Sequence, residues 1–251
     1  MEVAARERDF VRVAGADAAD YLQRMVSNDV DALATGEACP ALLLTAKARV
    51  IAPLVVLRRA EDDFLVLTEP GLGEIVRAHL VRMRLRAECE IEPEEHEAWL
   101  VFGGASGLGF ATDWPGAREA LDAGLVSTLT GEELELRRIE DGVPRWEHEI
   151  DDRILPAEAG LDVTHVSFSK GCYPGQEPVA RLHFRGHPNR GLRVVELEEV
   201  PEPDAALLHD GREIGRVTSF VQREDGTVVA LAYVRTEVPD DAPLAVAARA
   251  R

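Results

Sequence analysis

Apolar positions in the first third of the chain switch between a period of two and a period of three to four. Val11 and Val13 alternate with polar neighbours and predict a short strand that ends in a turn at Gly15. The following stretch places Tyr21, Leu22, Met25 and Val26 on one helical face, with Asp17 as the candidate N-cap. Leu42–Thr45 and Val50–Leu57 are short continuous apolar runs around an AKAR turn, the pattern of buried strands. FLVLT (64–68) predicts another strand, and a helix follows over 72–85, where Ile75, Val76, His79, Leu80 and Met83 recur at helical spacing. His79 reads as a histidine packed at the core edge.

A second β/α round opens with ECEIE and AWLVF and continues to the helix TGEELELRRIEDG. There Thr130 and Glu133 form a capping box, Glu133 is spaced to pair with Arg137, and Gly142 with Pro144 ends the helix. After Gly186 the period returns to two. LRVVELEEV, AALLHDGREIGRVTSFV and TVVALAYV read as strands, with Asp-Gly turns at 210–211 and 225–226 and no strong helix. The pattern predicts an α+β chain: a two-part region over 1–186, then an all-β module over 187–251 that closes like a barrel. A length of 251 residues suits more than one domain.

Composition narrows the function. With 46% hydrophobic and 29% charged residues the chain resembles an ordinary globular protein, and its longest apolar run, Val50–Leu57, is too short to span a bilayer. The N-terminus lacks the basic-then-apolar order of a signal peptide, so a cytoplasmic protein is expected. A net charge of −18 argues against a general nucleic-acid or anionic-membrane binder. One segment departs from this: Pro178–Val195 carries Arg181, Arg185, Arg190, Arg193 and two histidines, and no acid. It reads either as a trap for an anionic ligand or as a solvated basic strand or loop. Of 28 basic residues only Lys47 and Lys170 are lysines. Where arginine serves as the generic cation, a lysine suggests a place that needs a compact ammonium.

Most motifs are weak. FGGASGLG (102–109) lacks the spacing of a nucleotide loop and reads as a plain loop, and without HExxH or clustered ligands no intrinsic metal site is expected. Cys39, Cys89 and Cys172 can neither pair completely nor hold a four-thiolate cluster. SFSKGCYPGQEPVARLHFRGHPNRG (167–191) is different. Pro174-Gly175 suits the centre of a type II turn, which sets Cys172 at its shoulder, and nearby Lys170 favours thiolate over thiol. A semi-buried thiol packing a loop is the alternative, and His165 or His183 would reach Cys172 only through folding. Glu140 and Asp141 crowd the C-terminal end of a helix, where the dipole disfavours negative charge. Either a salt bridge to Arg137 or Arg138 or a ligand accounts for them.

KGCYPGQE, followed by VAR and RGHPNRG, closely resembles the signature of the YgfZ-type folate-binding proteins. These are relatives of the glycine-cleavage T-protein (aminomethyltransferase) and are linked to iron–sulfur protein assembly and repair and to tRNA modification. VRVAGADAADYLQRMVSNDV, LLLTAKARVIAPLVVL, RRIEDGVPRW and HDGREIGRVTS are similar to other parts of that family, so the resemblance covers most of the chain. It implies two ferredoxin-like α+β portions and an antiparallel β-barrel around a central cavity that holds tetrahydrofolate. Glu140 stands where the family's pterin-contacting glutamate is expected. Tyr173 and Gln176 would shape the loop, and Arg181, Arg185 and Arg190 would form a polar wall. Asn28 and Lys47 join the candidate folate contacts. Cys172 would be the functional thiol and Lys170 its electrostatic partner, and iron–sulfur client or assembly proteins would be the partners. The catalytic aspartate expected of a T-protein is replaced by Ala52, Pro53 and Leu54, which disfavours aminomethyl transfer. A true folate-dependent aminomethyltransferase and a non-catalytic folate-binding module are the rival readings.

Overall fold

Three antiparallel sheets carry the chain in the computed structural model, which describes residues 1–104, 108–202 and 204–247. Residues 105–107 of the glycine-rich stretch lie outside the described residues. The chain opens with β1 (Glu2–Arg6), crosses at Glu7 and Arg8, and continues as β2 (Asp9–Ala14). These two strands enter different sheets. β2 joins β3 (Ala38–Leu44), β4 (Val50–Arg58), β5 (Asp63–Thr68) and β6 (Glu90–Glu94) in the order β3-β4-β5-β2-β6. β1 joins β7 (Ala98–Phe102), β8 (Phe110–Ala111) and β9 (Ala117–Leu121) in the order β1-β7-β9-β8.

The strands of the first sheet are apolar on both faces because both faces are covered. Val11, Val56, Phe64 and Val66 pack on helices α1 (Ala18–Met25) and α2 (Gly73–Met83). Their alternating neighbours Phe10, Val55, Leu57, Leu65 and Leu67 pack on Ala98 and Phe110 of the second sheet. Asp17 is the N-cap of α1, but its carboxylate accepts from Glu88 N–H instead of the helix. The apolar stripe of α2 is narrower than its spacing predicts: Val76 and Leu80 are buried, whereas Ile75 and Met83 face solvent. ECEIE does not open a second round; as β6 it pairs with β2, with Ile91 turned into the first core.

Helix α3 (Gly131–Glu140) begins with the predicted capping box of Thr130 and Glu133. That box occupies Glu133, so Arg137 pairs with Glu2 and Asp141 instead. Short helix α4 (Leu161–Thr164) leads to the cysteine motif, and residues read as strand or loop form helix α5 (Gln176–Arg185). The third sheet follows as β10 (Arg190–Leu197), β11 (Ala206–His209), β12 (Arg212–Gln222), β13 (Val228–Arg235) and β14 (Ala245–Val246). Its order is β10-β13-β12-β11-β14, and its end strands are not joined. The expected barrel is therefore an open sheet. The reason is visible on β13, which is buried on both faces: Ala230 and Ala232 enter the sheet's own core, while Val229 and Leu231 pack on Ile139 of α3. A covering helix thus does the work of closure. Among the described residues no helix is long and apolar enough to cross a membrane.

Charge holds the crossing between β1 and β2. Arg8 donates from Nε and Nη2 to the two oxygens of Glu119 on β9, at 3.0 and 3.1 Å. Its Nη2 also donates to Asp113 at 2.9 Å and its Nη1 to Glu69, just past β5, at 3.4 Å. Arg6 makes a bidentate pair with Asp113 at 2.7 and 3.0 Å. Burial works to raise the Asp113 and Glu119 carboxyls, but the arginines outweigh it and hold both below the carboxylate range. A second tie lies in the β6–β7 connection, where His96 stands 2.9 Å from Glu94 and 2.6 Å from Asp122. Burial works to lower the His96 pKa, yet these two carboxylates leave it raised.

Glu119→Gln keeps the shape and removes one of the three carboxylates around the buried Arg8, leaving Asp113 and Glu69, so urea unfolding should show a loss of about 1.5–3 kcal/mol. Both folded carboxyl pKa values are depressed. Their stabilisation is therefore complete above the unfolded values of about 4 and is lost as pH falls through the folded ones, a loss that Glu119→Gln should blunt. His96 has the opposite sign: its contribution is complete below the unfolded pKa of about 6.5 and is lost as pH rises through the folded value. The gap in urea midpoint between wild type and His96→Gln, measured from about pH 5.5 to about 8.5, should be widest at the acid end and close as pH rises.

Candidate functional site

The cysteine loop is built on the C-terminal end of α1. Lys170 is buried, and its ammonium donates to the carbonyls of Gln23, Val26 and Asn28 at 2.6, 2.8 and 2.7 Å. The last carbonyls of a helix have no partner within it, and a compact ammonium at the negative end of the dipole satisfies several at once. Burial pushes Lys170 down to about 8. The residues leading to it are stitched to the same place. Ser27 donates to His165 O at 2.6 Å, and Ser167 N–H donates to Ser27 O at 3.0 Å. Asn28 is an internal staple: its amide donates to Pro40 O and Thr164 O.

The predicted type II turn is present. Gln176 N–H donates to Tyr173 O at 3.2 Å, and Gly175 takes φ 83° and ψ 1°. Only glycine fits, since a Cβ there would stand 2.6 Å from Thr45 O and 3.1 Å from Ala48 Cα. The turn is thus seated on the β3–β4 hairpin, whose exposed tip carries Lys47. Tyr173 packs its ring into the core formed by Leu42, Leu44, Ile154, Val179 and Tyr233. Its hydroxyl is buried without a partner among the described residues, and burial raises its pKa to about 12. Cys172 is exposed, whereas burial raises the thiols of Cys39, to about 12, and Cys89.

The other candidates disperse. Glu140 is held by Arg223 past the end of β12, at 2.8 Å. Arg190 donates to Glu158 at 2.9 Å, lies 4.7 Å over the Tyr233 ring, and borders a cleft of about 440 Å³ with Arg216 and Arg235. Arg181 and Arg185 are exposed on α5, and Gln176 is half-buried at its first turn.

A cavity of about 520 Å³ lies between the first two sheets' connections and α3, and none of the candidates lines it. Arg6, Glu69, Trp114 and Trp146 face it, together with Leu134, Glu135 and Arg138 of α3. Leu134 and Arg138, at i and i+4, share the face toward the cavity and Glu135 lies at its edge beside Ile139, whereas Ile139 and Glu140 turn on toward the third sheet. Arg138 is buried and joins Glu135 at 2.8 Å to Glu149 at 3.0 Å. Glu149 also accepts from Ser219 at 2.6 Å and from Arg145 N–H at 3.0 Å. Trp146 borders the cavity and also packs on the core that holds Tyr173. Sequence reasoning missed this wall; the available signal was two of only three tryptophans, 114 and 146, flanking the capped helix. Among the described residues no three His, Cys, Asp or Glu side chains are grouped to hold a metal.

Comparison with known proteins gives this geometry its relatives. Residues 8–103 match the family described as GCVT N-terminal domain. The tRNA-modifying protein YgfZ of Edwardsiella ictaluri is 27% identical over 286 aligned positions, which cover 96% of this chain and 86% of that one. The mitochondrial iron-sulfur cluster assembly factor IBA57 homolog of Pyricularia oryzae is 29% identical over 211, covering 73% of this chain and 54% of that protein. The chain thus spans only about half of that relative. The crystal structure of glycine cleavage system aminomethyltransferase T from Bartonella henselae superposes with a TM-score of 0.76 at 20% identity, over 93% of this chain and 78% of that one. Residues 8–103 are thus similar to the GCVT N-terminal domain, and the chain as a whole is a distant homologue of proteins named YgfZ and IBA57, with the fold of the glycine-cleavage aminomethyltransferase.

Proposed function

We propose that the protein binds a reduced folate in the cavity beside α3 and supports the upkeep of iron–sulfur proteins, with effects on tRNA modification, through Cys172. The observation that carries this reading is the contrast among the thiols. Two are withdrawn into the protein, and Cys172 alone is exposed, on a loop tied down by Lys170 and the Gly175 turn. Such a loop holds a thiol at a fixed place for a partner molecule.

The cavity suits a pteridine. Its volume of about 520 Å³ is that of a small-molecule pocket, and Trp114 and Trp146 offer flat apolar walls. Glu69 and Glu135 supply carboxylates that accept from amino and ring N–H groups, the role expected of Glu140. Arg138 and Arg145 fix the Glu135 carboxylate from one side. A bound reduced folate supplies one-carbon or reducing chemistry; the chain's own residues orient the ring and exclude water from it. Aminomethyl transfer is disfavoured because Ala52, Pro53 and Leu54 are buried in the first sheet and present no carboxylate.

Calorimetry with tetrahydrofolate should detect binding to wild type, with Trp146→Ala weakening it about tenfold or more and Glu140→Gln leaving it within about twofold. Absence of binding to wild type would sink the folate claim. Alkylation of the native protein near neutral pH should label Cys172 and spare Cys39 and Cys89, read by peptide mass spectrometry. Cys172→Ser should then fail to restore iron–sulfur enzyme activity in a deletion strain. Full complementation would reduce the protein to a binding module.

A further inference from the structure

Helix α5 presents a face that no other described part of the chain covers. Phe184 is 67% exposed and is the one exposed aromatic side chain among the described residues, and Val163 of α4 is 79% exposed. The patch is organised. The rings of Phe168 and His183 stack with centroids 3.9 Å apart, and Phe184 stands edge-on to them at 5.5 and 4.9 Å. His183 Nδ1 lies 3.4 Å from the carboxylate of Asp162, the neighbour of Val163. Phe184 is therefore braced by two rings while most of its surface stays in water.

Charge frames it. Arg181 and Arg185 flank Phe184 on α5, exposed and without an ion-pair partner among the described residues. Arg137, Arg153 and Arg223, by contrast, each pair with an acid. No acid occurs from Pro178 to Val195, in a chain of net charge −18. A braced aromatic anchor between free guanidinium groups is the composition of an interface centre, and an exposed apolar surface of this kind marks a contact site.

We propose that the Phe168–His183–Phe184 face, with Arg181 and Arg185, is the docking surface for an acidic partner protein, which sets an apolar side chain against Phe184 and carboxylates against the two guanidinium groups. The acidic remainder of the chain repels such a partner, so the patch fixes both where it lands and how it is turned. Nucleic acid suits the face less well. Two free arginines neutralise few phosphates, the −18 field opposes the rest, and Phe168 and His183 already cover each other's stacking faces. The helix begins four residues after Cys172, so the partner sits on the element that the cysteine loop leads into. The docking surface does not rest on folate binding.

The test is a photo-crosslinking residue at position 184 in host cells, with Leu85, 88% exposed just past the end of α2, as the control position. Mass spectrometry should identify one acidic protein joined at 184 and not at 85. Calorimetry with that purified protein should show an affinity that falls about tenfold or more in R181E/R185E and returns when the crosslinked acids of the partner are changed to lysine. The unfolding midpoint of R181E/R185E should match wild type, since both side chains lie in solvent. Crosslinking at 184 no stronger than at 85 overturns the proposal, as do nuclease-sensitive adducts, adducts with a second copy of the chain, or an affinity untouched by charge reversal.

Discussion

The pairing of Arg8 with Glu119 is the constraint from which the rest of the arrangement follows. β1 and β2 are consecutive strands in different sheets, so the two residues between them must cross from one layer to the other. At that point both side chains of the pair are almost wholly withdrawn from water, at 1% and 0% exposure. A buried ion pair is weak as a source of net stability, because desolvation offsets most of the attraction. It is strong as a specification, because any other register leaves an unpaired charge in the interior. Glu119 lies on β9 of the second sheet, Asp113 in the connection that leads into it and Glu69 just past the end of β5 in the first, so the cluster fixes the two sheets relative to each other. Arg6 and Glu69 also face the cavity, and His165, at the start of the cysteine segment, feels the same charges. Burial lowers His165 to about 4, which leaves it neutral at physiological pH and adds no third cation to the cluster.

Lys170 shows how a residue can be singled out correctly and for a reason the sequence does not reveal. One of two lysines among 28 basic residues, it marks a place that needs a compact ammonium. The expected use was to stabilise a Cys172 thiolate. In the structure its three donors converge on the carbonyls of Gln23, Val26 and Asn28. A planar guanidinium has no geometry for three oxygens converging on one point, so arginine is excluded there by shape and not by charge. Lys170 therefore acts on Cys172 by position: it anchors the loop from which the thiol projects.

Local features were legible and non-local ones were not. The capping box of Thr130 and Glu133, the Pro174-Gly175 turn and the strands at 50–57 and 64–68 depend on neighbours within a few residues, which a sequence displays directly. The sheet to which β6 belongs, the open edge of the third sheet and the ion cluster depend on partners tens of residues away. α5 was hidden because Gly175, Pro178 and the arginines read as a basic loop; in place, Gly175 is the N-cap, Pro178 lies in the first turn where its missing N–H is tolerated, and Val179 supplies the buried contact. Glu140 illustrates the limit for sites. A motif assigns a residue to a role, but which flank of α3 it occupies follows from Ile139 packing on Val229 and Leu231. That packing turns Glu140 toward Arg223 and leaves Glu135 and Arg138 to face the cavity.

Trp146 joins the cavity to the thiol. One part of its indole borders the cavity, and another packs against the core that contains Tyr173, the residue after Cys172. Within that core the Tyr173 ring is held by packing and by the Lys170 ammonium 5.4 Å over its face, while its buried hydroxyl has no partner among the described residues, which costs about 1–3 kcal/mol. The loop is thus pinned at Lys170 and Gly175, and between them by the Tyr173 ring, which packs in the core under the Lys170 ammonium. Under the proposed reading, a folate in the cavity meets Trp146, whose other contacts reach the core behind the cysteine loop.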